Sequence, residues 1–282
     1  MHKAGFVNIV GNPNVGKSTL MNQLVGEKLS IATFKAQTTR HRIMGIVNTD
    51  DAQIVFSDTP GVLKPNYKMQ EMMLQFSESA LADADILLYV TDVVENPEKN
   101  MDFLDKVSKM TIPVILLINK IDESDQKKLG NLVETWHKLL PNAEILPLSA
   151  KNKFGIDILM KRILELLPES PAFFDKDQLT DKPAKFFVSE IIREKILRYY
   201  DKEIPYSVEV VIERFKEDDR QIHINAIIYV ERSSQKGIII GHQGMALKKV
   251  STEARKSLER FFDKKIFLET YVKVDKDWRN SQ

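Results

Sequence analysis

Gly11-Asn12-Pro13-Asn14-Val15-Gly16-Lys17-Ser18 is the stretch on which the fold turns. Two glycines five apart, followed at once by lysine and a hydroxyl residue, match the pattern of a phosphate-binding loop. Glycines at positions 11 and 16 let the backbone bend so that successive N–H groups point inward at phosphate oxygens, at a helix N-terminus that favours anions. Lys17 supplies a cation for the β- and γ-phosphates, and the Ser18 hydroxyl a ligand for Mg²⁺. The pattern needs a strand before it and a helix after it. Phe6–Val10 reads as that strand, and the segment after Ser18 as that helix. The nucleotide-contacting set predicted here is Asn12, Pro13, Asn14, Val15, Gly16, Lys17, Ser18 and Thr19.

Working outward, short β-rich runs alternate with helical patterns through residue 167. Strands are expected at Phe6–Val10, Ile43–Asn48, Gln53–Ser57, Asp85–Thr91, Val114–Asn119 and Glu144–Leu148. That is the pattern of an α/β domain. Only Thr49-Asp50-Asp51-Ala52 separates the second run from the third, too short for a helical crossover, so these two should pair antiparallel and the others parallel. Pro168–Pro183 interrupts the alternation, and we read 171–183 as a linker, with Phe173 and Phe174 packing on one domain. Beyond it the order changes. A helix at Ala184–Tyr200 precedes alternating strands at Ser207–Glu213 and Gln221–Val230. A glycine-bearing segment, Gly237–Gly244, follows, then a helix with its apolar stripe at Leu247, Val250, Ala254, Leu258 and Phe261. A final strand runs through Leu268, Thr270, Val272 and Val274. The domains are therefore expected at 1–170 and 184–282, the second with the order αββααβ.

Composition excludes some classes. The chain of 282 residues has no cysteine, which rules out disulfides and thiolate metal sites. No apolar run approaches a membrane-spanning length, and the N-terminus lacks a signal-peptide pattern. A cytoplasmic location is expected. The net charge of +1 is unevenly divided: residues 183–282 carry 20 Lys and Arg against 16 Asp and Glu, the rest 21 against 24. Between Arg232 and Lys265 nine basic residues face three acidic ones, which suggests a polyanionic partner at that end.

Further motifs make the first domain resemble a Ras-like P-loop GTPase domain. Asn119-Lys120-Ile121-Asp122 ends the apolar run Val114–Ile118 and resembles the family's guanine-reading motif. The Asp122 carboxylate can accept from both N1–H and the N2 amino group of guanine, whereas adenine would leave it unpaired. Ser149-Ala150-Lys151 resembles the remaining base-contact motif, and Asp58-Thr59-Pro60-Gly61 the switch that senses the γ-phosphate. In that resemblance Asp58 holds Mg²⁺ through water and the Gly61 N–H bonds the γ-phosphate. Gln37-Thr38-Thr39-Arg40 resembles the first switch, where one threonine completes the Mg²⁺ shell. Sequence alone does not choose between Thr38 and Thr39; we take Thr39. The implied metal set is Ser18, Thr39 and Asp58, and the implied catalytic set Lys17, Asn14, Thr39 and Gly61. Val62 stands where Ras-type enzymes carry a water-orienting glutamine, so slow intrinsic turnover is expected. Asn14 lies at the loop position where some GTPases with this feature hold K⁺, which makes K⁺ a candidate substitute for an arginine finger.

The segment Gly237–Gly244, with its Gly241-His242-Gln243-Gly244 turn in an αββααβ order, resembles a KH domain, whose GxxG loop clamps single-stranded RNA. The RNA-contacting residues so implied are Ile240, Gly241, His242, Gln243, Gly244, Lys248, Lys249 and Arg255. A Gly241→Asp, Gly244→Asp double variant is expected to fold and lose RNA. The combination of PNVGKST, QTTR, DTPG, NKID and SAK with one KH domain resembles the Era GTPase family over essentially the whole chain. That resemblance implies GTP, GDP and Mg²⁺ as ligands, and binding to the 3′ end of small-subunit ribosomal RNA. It also implies a part in maturation of the small ribosomal subunit and a peripheral association with the inner membrane, for which no amphipathic anchor is found. Two other readings compete: an RNA-binding module whose GTPase domain is mainly a nucleotide-dependent scaffold, and a related RNA-modifying GTPase. The GxxG-bearing domain and the absence of a C-terminal cysteine disfavour the second.

Overall fold

The computed structural model describes residues 1–33, 35, 38–62, 65, 68–276 and 278. Gln37, part of the first-switch motif, lies outside them. The chain divides into two compact units, Met1–Asp181 and Lys182–Gln282.

In the first unit β1 (Lys3–Gly11), β2 (Ile43–Asn48), β3 (Ala52–Asp58), β4 (Ile86–Asp92), β5 (Val114–Asn119) and β6 (Glu144–Pro147) form one sheet in the order β2-β3-β1-β4-β5-β6. β2 pairs antiparallel with β3, as the short link between them requires, and the other pairs are parallel. The central strands read as nearly continuous apolar runs because both faces are covered. One face carries Ile9, Ile54, Phe56, Leu88, Val90 and Leu117 against α1 (Lys17–Val25) and α5 (Ile156–Leu166). The other carries Val10, Leu87, Tyr89, Leu116 and Ile118 against α2 (Lys68–Ala82), α3 (Met101–Ser108) and α4 (Gln126–Leu139). Chain direction reverses its walk across the sheet at β1, so a crevice opens at the C-terminal ends of β1, β3 and β4, where an α/β sheet binds its ligand.

Residues 171–181, within the stretch read as a linker, follow β2 and β3 as a strap. Both ends of the buried Gln53 amide hold it: Oε1 accepts from Phe173 N at 2.7 Å and Phe174 N at 3.0 Å, and Nε2 donates to Phe174 O at 2.8 Å. Ile46 N donates to Leu179 O at 2.8 Å, and Phe173 packs on Phe6 with ring centroids 4.9 Å apart.

In the second unit α6 (Ala184–Tyr199), α7 (Ser233–Ile240) and α8 (Met245–Phe262) cover one face of a three-stranded sheet, β7 (Val208–Glu217), β8 (Gln221–Val230) and β9 (Lys265–Val274). The alternation predicted for β8 is realised: Ile222, Ile224, Ala226, Ile228 and Val230 all point inward and are fully buried. β9 lies parallel to β8 at the sheet edge, which the α7–α8 crossover permits. Of the predicted α8 stripe, Val250, Ala254 and Leu258 enter the core. Phe261 stays partly exposed and stacks on Phe187 of α6 at 5.4 Å.

Candidate nucleotide and RNA sites

The turn after β1 wraps around the Lys17 ammonium, which donates to Gly11 O at 3.0 Å and Asn12 O at 2.8 Å. Burial lowers the Lys17 pKa from the usual lysine value to about 8. Anionic phosphate oxygens in the cleft would favour the protonated form again. The three residues assigned to a metal meet beside it. Ser18 Oγ donates to Asp58 Oδ2 at 2.8 Å and lies 2.8 Å from Thr39 Oγ1. Thr38 turns elsewhere, donating to Lys35 O and lying 2.7 Å from Thr33 Oγ1. Both threonines line the cleft, and Thr39 is the one whose hydroxyl meets Ser18. Asp58 Oδ1 is buried without a hydrogen-bond partner, and burial raises the carboxyl's pKa, with nearby Lys17 opposing the shift. An orphaned carboxylate oxygen next to two hydroxyls suits a hard divalent cation. Among the described residues no three or more His, Asp or Glu side chains cluster to form a metal cage. A cation held here would therefore complete its shell with ligand phosphates and water, as Mg²⁺ does.

Guanine recognition would fall to Asp122, which is exposed and held by one oxygen only, Ser149 Oγ donating to Oδ1 at 2.6 Å. Asn119 takes a different part. Its Nδ2 donates to Val15 O at 2.9 Å and its Oδ1 accepts from Ala150 N at 3.0 Å, so it ties the phosphate loop to the Ser149–Lys151 turn. Lys120 bridges Asp92 Oδ2 at 2.5 Å and Asn14 O at 2.7 Å.

The predicted nucleotide set therefore divides. Pro13, Asn14, Gly16, Lys17, Ser18, Thr19, Thr39, Gly61 and Lys120 line the cleft. Asn12, Val15, Thr59, Pro60 and Ala150 are buried beneath it. Thr59 Oγ1 donates to Ile9 O at 2.8 Å, and Pro60 O accepts from Ser77 at 2.9 Å. Lys151 is exposed at the end of the base motif, and Asn14 is exposed with a positive φ of 67°. Sequence reasoning missed Ile31, Ala32, Thr33 and Lys35 on the cleft wall, because the 28–42 segment carries no periodic pattern. It also missed Asp92 and Asn100, which no motif covers.

In the second unit the turn at 241–244 leaves His242 and Gln243 exposed, with Gly241 and Gly244 at positive φ. Ile240 precedes the turn and is partly packed on the core. A cleft between α8 and β9 runs away from it, lined by Gly244, Leu247, Lys248, Ser251, Thr252, Arg255, Leu268 and Thr270. Lys248 and Arg255 thus share one wall, with Arg255 donating to Glu259 at 2.7 Å. Lys249 does not join them: its ammonium sits 4.7 Å from the Tyr199 ring of α6, off the cleft. One helical position separates Lys248 from Lys249, about 100° around the axis. The β9 wall was legible in principle, since Leu268 and Thr270 alternate in phase with Ile266 and Val272.

The chain is similar to known proteins in both units. A family model described as a 50S ribosome-binding GTPase matches residues 6–120, and a KH domain model matches 203–279. "GTPase Era" of Clostridium kluyveri is 44% identical over 283 residues, covering 100% of this chain and 97% of that protein. Its namesake from Leuconostoc citreum is 45% identical, covering 99% and 93%. A crystal structure of Era in complex with MgGDPNP and nucleotides 1506–1542 of 16S ribosomal RNA superposes with a TM-score of 0.95 at 38% identity, covering 100% of this chain and 96% of that one. A variant of Aquifex aeolicus Era bound to GDP and aluminium fluoride gives 0.94 at 39%, covering 99% and 96%. With full-length identity above two-fifths and both domains matched, this chain belongs to the Era family of GTPases.

Proposed function

We propose that this chain is a GTP-hydrolysing switch that binds the 3′ end of small-subunit ribosomal RNA and assists maturation of the small ribosomal subunit. The observation that carries the reading is the meeting of Ser18, Thr39 and the unpartnered Asp58 oxygen beside the buried Lys17. One hydroxyl of that trio comes from the first switch and the carboxylate from the second. A Mg²⁺–triphosphate seated there would draw the two together, and loss of the γ-phosphate would release them. In this scheme residues 1–170 form the GTPase domain, 184–282 the KH domain, and 171–183 join them.

The chemistry follows from charge placement. Lys17, together with an Mg²⁺ held at Ser18, Thr39 and Asp58, would spread the negative charge that develops on the β–γ bridge, and the Gly61 N–H would bond a γ-phosphate oxygen. Val62 is buried and apolar, so it orients no water, and slow turnover is expected of the isolated chain. K⁺ at Asn14 would add the missing positive charge. The phosphate backbone of RNA runs past Gly244 along the α8 wall, where Lys248 and Arg255 neutralise it. Ribosomal RNA as partner puts the work in the cytoplasm, and any contact with the inner membrane is peripheral. Among the described residues no helix is long and apolar enough to cross a membrane.

The test is RNA affinity in two nucleotide states. An oligonucleotide of the small-subunit RNA 3′ end should bind more tightly with a non-hydrolysable GTP analogue than with GDP, because a ligand shifts a switch only by its differential affinity. Equal affinities would favour the scaffold reading, in which the GTPase domain only supports the KH domain.

A further inference from the structure

The connection from β4 to α3, residues 92–100, belongs to none of the motifs above, yet Asn100 at its end reaches the phosphate loop. Asp92 Oδ1 accepts from Val94 N at 2.9 Å and Glu95 N at 2.8 Å, which folds the connection back on itself. Glu95 accepts from Thr91 Oγ1 at 2.8 Å and lies beside the Asn12 side chain. The other end of the Asn12 amide, Oδ1, accepts from Asn100 Nδ2 at 2.5 Å, and the same Nδ2 donates to Val62 O at 3.1 Å. Val62 N in turn donates to Gly11 O at 3.1 Å. Asn12 and Val62 are 2% and 4% exposed, so the acceptor side of these bonds is buried, while Asn100 itself is half-buried. They join the phosphate loop to the residue that follows Gly61.

Two features of Asn100 set it apart from an ordinary helix-starting asparagine. An asparagine before a helix usually turns its side chain onto the first free N–H groups of that helix. Asn100 precedes α3 but makes no such bond with its side chain. It also holds a left-handed backbone, φ 61° and ψ 46°, uncommon for a residue with a Cβ. Asparagine enters that region more readily than most residues, and here its side chain reaches two acceptors, one on the phosphate loop and one on the second switch.

We propose that Asn100 is a positioning residue for GTP hydrolysis, tying the Asn12 side chain to the Val62 carbonyl and so fixing the neighbouring Gly61 amide relative to Lys17. The inference rests on the reading of this cleft as a GTPase site. A donor aimed at charge that appears only in the transition state acts through its placement, and slack in that placement costs rate before it costs ground-state binding. Gly61 is otherwise held through Asp58 and Thr59 on its other side. Asn100 supplies the side-chain anchor that follows it.

Asn100→Gly separates the two features, since glycine keeps the left-handed backbone and removes the side chain. With kcat, GDP affinity and affinity for the GDP–aluminium fluoride complex measured side by side, we expect kcat to fall about tenfold, as for two part-buried hydrogen bonds lost. GDP affinity should hold within about twofold, and the GDP–aluminium fluoride complex should weaken by the same factor as kcat. An unchanged kcat would overturn the proposal, and so would equal weakening of GDP and its aluminium fluoride complex, which would mean general loosening of the loop. Asn100→Ser is read in the same way if the glycine variant does not fold. A wild-type chain that binds GDP yet releases no phosphate from GTP would sink the GTPase reading as well. An active wild type with an equally active Asn100→Gly variant sinks only this inference.

Discussion

A Cβ added to Gly61 would lie 2.6 Å from the Pro13 nitrogen; one added to Gly244 would meet nothing within 4 Å. Both glycines sit at binding sites, and the contrast describes how each site is built. Around the nucleotide, protein packs against protein. Asn119 joins the phosphate loop to the Ser149–Lys151 turn, Lys120 joins it to Asp92, and Gly61 lies against Pro13. Around the GxxG turn the space is left empty. His242 and Gln243 stand in solvent, and the cleft beside them has two cationic side chains on one wall. A small ligand whose every edge must be read needs the first construction. A flexible phosphate backbone gripped mainly by charge fits the second.

The largest effect should come from the base-reading carboxylate. Asp122 keeps one oxygen tied to Ser149, which aims the other for a ligand. Asn at this position would put an amino group opposite the two guanine donors or leave one of them unpaired. For Asp122→Asn, GDP affinity measured by calorimetry should fall on the order of 10⁴-fold. Xanthosine diphosphate, with a carbonyl in place of the amino group, should bind the variant better than GDP does. Retained preference for guanine would mean that the Asn119–Asp122 segment reads the base through its backbone and that the tightly built site is less dependent on side chains than the geometry indicates.

The two sites were also unequally legible in the sequence. The phosphate loop and the antiparallel β2–β3 pair followed from spacing alone, because backbone geometry ties glycine, lysine and link length to single outcomes. Asn119 was legible as a motif residue but not as a strut, since its two partners, Val15 and Ala150, are 104 and 31 residues away. Asn100 carried no signal at all: a lone asparagine before a helix looks like a cap, and its real partners appear only once α3 is packed. Thr39 could be separated from Thr38 only by the direction each hydroxyl takes in the folded loop. In the KH unit the alternation of β8 was readable in full, whereas in β7 a bulge between Ile212 and Arg214 breaks it and the strand runs on to Glu217. Which basic residues of α8 line the cleft was not readable, because a run of basic residues does not say which of them shares a wall.

The expectation that a Gly241→Asp, Gly244→Asp double variant would simply fold needs correction. A Cβ on Gly241 would meet the Ala246 Cβ at 2.6 Å, with φ at +69°. That position is a tight turn, and an aspartate there would disturb the start of α8. Gly244→Asp alone is the cleaner probe. It has open space, and its only structural penalty is the left-handed backbone, about 1–2 kcal/mol. The carboxylate would face the RNA phosphates, so RNA affinity in filter binding should drop about tenfold or more, as for repulsive charge at a desolvated contact. GTP turnover should be unaffected. Undiminished RNA binding would mean that the open space beside Gly244 is not the RNA path.

The finest test compares two adjacent lysines. Lys248 lines the α8–β9 cleft, whereas Lys249 is turned onto the Tyr199 ring. If RNA follows the cleft, Lys248→Ala should lower the slope of log affinity against log salt by about one, the loss of one phosphate contact. Lys249→Ala should leave that slope unchanged and RNA affinity within about twofold, since its charge lies off the path and is screened over about 10 Å at moderate salt. What Lys249 does lose is a cation–π contact worth about 0.5–1 kcal/mol at an exposed position, which should appear as a small drop in thermal stability. The pair is informative because composition treats the two lysines as equivalent. A salt slope that fell equally for both would place the RNA across the α6–α8 face as well, and the division of α8 into a binding wall and a packing wall would fail.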